Sequence, residues 1–570
     1  MLTREWSDYA RRVYKERYSF NKTEEWPDTC RRVSTEVFAP VINRSGAAAA
    51  QAAVERLMLR RRFMPGGRYL YSAGRPLHQV ANCLMCLAKD SREGWAEHYY
   101  KHVMGLSTGA GIGSVYSLIR PKGAPLGRGG GTAGGPLNLA VGINEAARTV
   151  RQGGDRRAAL WAGLHWWHED VMPFVEVKNW SEEVRAAKAR DFNSPGPMDY
   201  TNHSVCLDDA FFEAMAGADR LMGDLRLEVR GRTWGMGDDL LSGDVARRVY
   251  WAVIRDAMER GNVGLSVDCG KNAMEWLRNA CTELTSADPD DICNIGSINL
   301  GECDTIDEFA EAVESGTVFL LAGSVYGDLP YADVGPVREK NRRLGLGLMG
   351  IHEWLIKRGL HYGPNAELGR WLEVYARSTE IAHRYADAWG ISRPVKTRAV
   401  APTGTISIVA ETTSGIEPIM AVAYKRRVKK GDETWAQYVV DPVARRLIDG
   451  GADPKSVESA YTLAESREGI ERRVAFQAWV QRYVDHGISS TLNMPQWGSP
   501  NNNEGEVQWF GEMLLKYLPH LRGITVYPDG AQSGQPMTAV PYEVAIEKGP
   551  EVVFEQGEVC ELTKGGICSG

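Results

Sequence analysis

Asn279, Cys281 and Glu283 occupy alternate positions in the run Asn279-Ala280-Cys281-Thr282-Glu283. In an extended segment, residues two apart point the same way, so this spacing would offer an amide, a thiol and a carboxylate to one ligand. Such a trio suits a sugar. A sulfur radical on Cys281 can take a ribose hydrogen, a carboxylate beside it can accept a hydroxyl proton, and an amide can orient that hydroxyl. Taken alone, the pentapeptide reads more plainly as a buried cysteine on a polar loop. A second candidate is Ala401-Pro402-Thr403-Gly404-Thr405-Ile406-Ser407. A glycine-containing turn exposes successive backbone N–H groups and its hydroxyls add donors, which together can cradle a phosphate. A plain turn between two strands is the alternative.

The ten cysteines stand at positions 30, 83, 86, 206, 269, 281, 293, 303, 560 and 568. The chain opens on Met1-Leu2-Thr3-Arg4-Glu5-Trp6, a charged amphipathic segment and not an apolar leader, and cysteines so widely spread argue against a disulfide framework. Cys83 and Cys86 have CxxC spacing, but no second such pair completes a zinc site, so no metal is expected. A formal net charge of −6 argues against a general polyanion-binding surface, so nucleic acid is not an expected partner. No window approaches the roughly 20 apolar residues of a membrane span, and a cytoplasmic protein is expected.

Elements must position these groups. Gly46 to Arg62 reads as helix, stopped by Pro65-Gly66-Gly67. Ser242 is a natural N-cap for a helix running to about Arg260, with Val245, Val249 and Val253 at four-residue spacing. Val263 to Val267 and Gly523 to Tyr527 read as strands, as do Ala399-Val400 and Ile406 to Val409 around the Pro402-Thr403-Gly404 turn. Such alternation predicts βα units with mostly parallel strands and active-site residues on loops at strand ends. Of the 570 residues, 1–65 read as an N-terminal helical segment, 66–546 as one α/β body and 547–570 as a flexible tail holding Cys560 and Cys568.

Further segments give the Cys281 run its context. Cys293-Asn294-Ile295-Gly296-Ser297-Ile298-Asn299-Leu300 follows it, and Asn82-Cys83-Leu84-Met85-Cys86-Leu87-Ala88-Lys89-Asp90-Ser91 stands far upstream. Together they resemble the catalytic subunit of the ribonucleotide reductases. Met64 to Arg68, Tyr116 to Gly123, Gln152 to Arg157 and Asn341 to Gly347 extend the resemblance in family order. It implies a ten-stranded α/β barrel of two five-stranded parallel halves, with Cys281 on a central finger loop. Cys281 would be the radical cysteine, Glu283 the base at the 3′-hydroxyl and Asn279 its hydrogen-bonding neighbour. Cys83 and Cys293 would form the dithiol that delivers two electrons and a proton at C2′ and ends as a disulfide. Pro402, Thr403, Gly404, Thr405, Ile406 and Ser407 would hold the phosphate of a ribonucleoside di- or triphosphate. Gln152, Gly153, Arg156 and Arg157 resemble the loop that relays effector identity, a dNTP or ATP; an ordinary solvated basic turn is their plain reading.

Val526-Tyr527-Pro528-Asp529-Gly530 carries one tyrosine where oxygen-dependent reductases have an adjacent pair. It resembles the adenosylcobalamin-dependent class II, which needs no radical relay, although Pro528 replaces that class's usual arginine. The alternatives are a class I subunit served by a radical-generating partner and a non-catalytic nucleotide-binding barrel. No glycyl-radical motif is present. Cys560 and Cys568 resemble the tail pair that re-reduces the active site and is itself served by a thioredoxin- or glutaredoxin-like reductant; their wide separation leaves a metal clip or inert thiols as alternatives. With about 60 residues before Pro65, the family's ATP-cone domain is not expected, and a homodimer is expected.

Overall fold

The computed structural model describes residues 6–81, 83–127, 129–150, 159–190, 194–217, 242–430, 433–531, 537–549 and 553–555. Strands that are buried on both faces read as near-continuous apolar runs, and this is how the central sheet is made. Its first strands are β1 (Phe63–Pro65), β2 (Cys83–Leu87), β3 (Gly111–Val115), β4 (Leu160–His165), β5 (Thr201–Asp208) and β6 (Val263–Asp268). Every residue of β4 and of β6 is buried. β2 to β6 lie side by side in parallel, which requires long crossovers. The helices Arg92–Thr108, Gly135–Thr149 and Gly243–Glu259 lie on them. The last starts where expected, with the Ser242 hydroxyl accepting from the Val245 amide at 3.3 Å.

After β6 the chain makes a small hairpin of β7 (Leu277–Arg278) and β8 (Thr285–Ser286), then enters β9 (Asp291–Asn299). β9 runs antiparallel to β2 and parallel to β10 (Leu344–Met349). Beyond β11 (Ala423–Lys430) and β12 (Glu433–Val440) come β13 (Thr491–Met494) and β14 (Gly523–Pro528), parallel to each other, with β14 antiparallel to β6. These strands, without β7, β8, β11 and β12, form one ten-stranded mixed sheet. Backbone bonding continues beyond β10. Ala399 N donates to Leu346 O at 3.0 Å, Val400 N to Gly487 O at 3.1 Å and Ser489 N to Val400 O at 2.9 Å. A separate four-stranded sheet places β15 (Met537–Ala539) beside β11 and β16 (Val553–Glu555) beside β12. Within the expected tail, 547–548 end the helix Tyr542–Lys548 and Val553–Glu555 form a strand.

The N-terminal helices α1 (Asp8–Arg17), α2 (Trp26–Phe38) and α3 (Ala47–Leu59) pack with the helix Ile306–Gly323, buried throughout from Ser315 onward, in one apolar core. β2 to β6 share another with their helices. A third, small cluster decides the site: Cys83, Met85, Val115, Trp161, Cys206, Cys293, Ile295, Ala399 and Ala401 converge on Leu277 and Leu284 of the hairpin. Residues of β2, β3, β4, β5 and β9 and of the stretch near residue 400 thus pack against the hairpin. No described helix is long and apolar enough to cross a membrane.

Two local expectations are corrected. Ile406–Ala410 is a helix, not a strand, although isoleucine and valine favour strands. Ser407 N bonds Thr403 O at 2.9 Å, and Ile406, Val409 and Ala410 are buried in the N-terminal core, so tertiary packing overrides propensity. The Asn279–Glu283 run is not extended either. It is the tip of the hairpin, where Thr282 adopts φ +67° and its amide bonds Asn279 O at 3.1 Å.

Gly113 on β3 receives the hairpin backbone, since a Cβ there would lie 2.1 Å from Arg278 O. Neither backbone can yield without moving its element. A Gly113→Ala chain is expected to lose about 1–3 kcal/mol of stability, read as a lower urea midpoint; an unchanged midpoint would show that the hairpin is not wedged against β3.

Candidate active site

The hairpin is held at its base by charge. The Arg278 guanidinium, fully buried, donates to Val267 O at 2.7 Å. Arg343 pairs with Glu275 Oε1 at 2.9 Å and with Asp291 Oδ2 at 2.7 Å. Lys396 completes an ion pair with Glu275. Each arm of this network grips the hairpin: Thr285 Oγ1 donates to Glu275 Oε2 at 2.8 Å and Ser286 Oγ to Asp291 Oδ2 at 2.7 Å. Burial pushes the Glu275 carboxyl up, yet Arg343 and Lys396 hold it below its ordinary value. Burial draws Lys396 down to about 8 against the pull of Glu275. Two acids and two bases balance, so the cluster is buried without a net charge.

The tip carries the reactive groups. Asn279 is buried; its Oδ1 accepts from Leu284 N at 3.0 Å and its Nδ2 donates to Cys83 Sγ at 3.0 Å. Cys281 is exposed and, with Ala280 and Thr282, lines a cavity of ≈ 1080 Å³. Glu283 is buried, and desolvation raises its carboxyl to about 7 in spite of hydrogen bonds from Asn279 and from its own backbone. Its Oε2 has no hydrogen-bond partner among the described residues. Cys83 and Cys293 sit directly opposite each other across the antiparallel β2–β9 pair, where Cα separations are about 4.5–5.5 Å, within the span of a disulfide. Burial pushes both thiols well above their ordinary range; Cys83 also feels Glu283, Cys281 and Cys293, and Cys293 feels Asp291. Cys86, the other half of the CxxC, faces Tyr331 at 3.7 Å instead.

Of the expected phosphate loop, Pro402, Gly404 and Ser407 line the same cavity. Thr403, Thr405 and Ile406 do not. The Thr403 hydroxyl accepts from Gly415 N at 2.8 Å and so shapes the loop, Thr405 takes the N-cap position of the helix without a side-chain capping bond, and Ile406 is buried. Gln152, Gly153, Arg156, Arg157, Cys560 and Cys568 lie outside the described residues. Among the described residues, no cluster of three or more His, Cys, Asp or Glu is placed to hold a metal ion. Glu275, Arg278, Arg343 and Lys396 escaped sequence reasoning, because their burial and mutual pairing leave no local pattern.

Comparison with known proteins gives this geometry a family. The ribonucleotide reductase barrel domain matches residues 81–222, 246–370 and 392–516, more than half of the chain. The chain is 28% identical over 551 residues to a protein of Thermoplasma acidophilum named vitamin B12-dependent ribonucleoside-diphosphate reductase, covering 88% of this chain and 68% of that one. A protein of the same name in Mycobacterium tuberculosis is 26% identical over 535 residues, covering 84% and 72%. A Mycobacterium phage D29 protein, named as a putative adenosylcobalamin-dependent ribonucleoside-triphosphate reductase, is 27% identical over 559 residues, covering 81% and 73%.

Glu283 binds its proton more tightly in the folded chain than in an unfolded one. It therefore withdraws stability as pH rises from about 4.5 to about 7, by up to about 3 kcal/mol above that window. A Glu283→Gln chain should melt higher than the parent at pH 8, with the gain shrinking towards pH 4.5. A melting difference that does not change with pH would contradict a buried, proton-binding Glu283.

Proposed function

Because this chain belongs to the ribonucleotide reductase family, we propose that it converts ribonucleoside di- or triphosphates to 2′-deoxyribonucleotides by thiyl-radical chemistry dependent on adenosylcobalamin. One observation carries the reading: an exposed thiol at a hairpin tip stands beside two buried thiols in register across β2 and β9. The catalytic unit is a closed ten-stranded barrel with residues 277–286 as its finger loop. In support, the hydrogen bonds from β10 through 399–400 to 487–489 bridge the ends of the sheet path. Residues 66–546 form this unit, with 1–65 packed against it and 547–570 following.

Adenosylcobalamin, when bound, supplies the radical that generates the Cys281 thiyl. Roughly 300–1,000 Å³ suffices for a drug-sized ligand, so a cavity of ≈ 1080 Å³ with Cys281 on its wall is large enough for a nucleotide. The protein's own residues do the rest. Cys281 takes a ribose hydrogen atom. Glu283, half ionised near pH 7, accepts the 3′-hydroxyl proton, and Asn279, fixed by Leu284 N and Cys83, orients that hydroxyl. Cys83 and Cys293, kept as thiols by burial, end as a disulfide: one thiol proton leaves with the 2′-hydroxyl as water as the C2′–O bond breaks, the other hydrogen goes to C2′, the pair supplies the two electrons, and Cys281 returns its hydrogen atom to the sugar.

Cys560 and Cys568 re-reduce that disulfide and are served in turn by a thioredoxin- or glutaredoxin-like reductant. Support comes from β16, which fixes the chain at Glu555 on the edge of β12, a strand that lines the cavity. Cys560 follows after at most about 18 Å of extended chain. Gln152 to Arg157 read a dNTP or ATP effector, and a second copy docks on the Arg92–Thr108 helix, where Tyr100 and Val103 stand exposed.

Purified chain should form deoxycytidine nucleotides from CDP or CTP anaerobically with a dithiol and adenosylcobalamin, and none without the cofactor. Cys281→Ser should abolish product while nucleotide binding persists, and Glu283→Gln should lower turnover by about 10²-fold or more. Turnover by Cys281→Ser would remove the radical role. After turnover without added reductant, peptide mapping should recover Cys83 linked to Cys293.

A further inference from the structure

The residues 402–407 contain no cation, so this loop offers a phosphate only N–H groups and hydroxyls. Three cationic side chains line the cavity: Lys178, Arg426 and Arg445. Arg445 is exposed. Lys178 lies on the other wall, near enough to the β5 residue His203 to disfavour that ring's charge. Arg426 on β11 is only 8% exposed, and its Nε has no hydrogen-bond partner among the described residues. No described carboxylate pairs with it. Its position is nonetheless fixed. Nη2 donates to Gln437 Oε1, directly across the β11–β12 pair, at 2.5 Å, and the guanidinium carbon lies 3.4 Å from the ring centroid of Tyr9 on α1.

The same helix holds the phosphate loop. Ser7, the N-cap of α1, donates its backbone N–H to Glu411 Oε1 at 3.0 Å, and Glu411 closes the Ile406–Ala410 helix while pairing with Arg61 at 3.1 Å. Ser7 and Tyr9 both face the cavity, as do Gly404, Ser407, Thr412 and Ser414. One short stretch of α1 thus sets the loop and the guanidinium against each other. A buried cation without a counter-ion is costly unless an anion meets it, and the guanidinium fork suits phosphate oxygens.

We propose that Arg426 is the cation that receives the terminal phosphate of the nucleotide substrate, with Tyr9 as its positioning residue. The inference rests on the reductase reading above. Arg426 then sets how strongly the enzyme prefers a polyphosphorylated nucleotide over a monophosphate, while the loop's N–H groups serve either.

The test is equilibrium binding and turnover of CMP, CDP and CTP by the full chain with adenosylcobalamin, comparing the parent, Arg426→Gln, Arg426→Lys and Tyr9→Ala. Arg426→Gln should weaken CDP or CTP at least tenfold, in dissociation constant and KM alike, while CMP changes less than twofold and kcat less than threefold. Arg426→Lys should recover part of the loss, and Tyr9→Ala should weaken the same ligand by a smaller factor with CMP again spared. Equal weakening of all three nucleotides, or none, overturns the assignment while leaving the reductase reading intact. If Arg426→Gln fails to fold, the Lys and Tyr9→Ala chains decide on the same ratio. A parent chain that neither binds nor reduces any of the three overturns both.

Discussion

A balanced group of four buried charges, Glu275, Lys396, Arg343 and Asp291, is the constraint on which this molecule depends. Each acid also takes a hydroxyl from the hairpin, Thr285 on one strand end and Ser286 beside it. The hairpin has only two residue pairs of its own, far too few to stand alone in water. It keeps its shape because charges on β9, on the approach to β10 and at residue 396 meet beneath it. Such a cluster adds little net stability against an apolar replacement, but removing one member strands the others at a cost of about 3–5 kcal/mol. It selects one position for the hairpin.

That position explains the chemistry available at the tip. A dry surrounding raises thiols and carboxyls together, so Cys83 and Cys293 stay protonated while Glu283 comes within reach of neutral pH. Nucleophilic catalysis by cysteine demands the opposite, a thiolate in an electropositive setting. Hydrogen-atom and proton donation demand the S–H bond. The environment therefore favours radical over nucleophilic use of these sulfurs, chiefly through burial and with neighbouring carboxylates adding to it.

Much of this was legible in the residues. Cys83, Asn279, Cys281, Glu283 and Cys293 stand out in sequence by type and motif, and the structure gathers them within one neighbourhood. The helix capped by Ser242 and the strands after Gly261 and Leu521 follow from capping and β-branched runs. The alternation argument at Asn279–Glu283 named residues that the structure places together, but on an incorrect geometry: period two cannot reveal that Thr282 turns left-handed and closes a loop. Ile406–Ala410 misled through propensity, since its helix is stabilised by contacts hundreds of residues away. Arg343 lay inside a recognisable segment, yet nothing local says that its charge is buried or which acids it joins.

The seam between β2 and β9 has a mechanical side. These strands join the parallel set β2 to β6 to the set that begins at β9, and they run in opposite directions there. A bond between Cys83 and Cys293 would staple the two sets together and close a loop of about 210 residues, the kind of cross-link that most restricts an unfolded chain. The reduced molecule is held at this seam by backbone hydrogen bonds and packing; the oxidised one would be riveted. Electron content and resistance to being pulled apart would then rise and fall in opposite senses within each catalytic cycle.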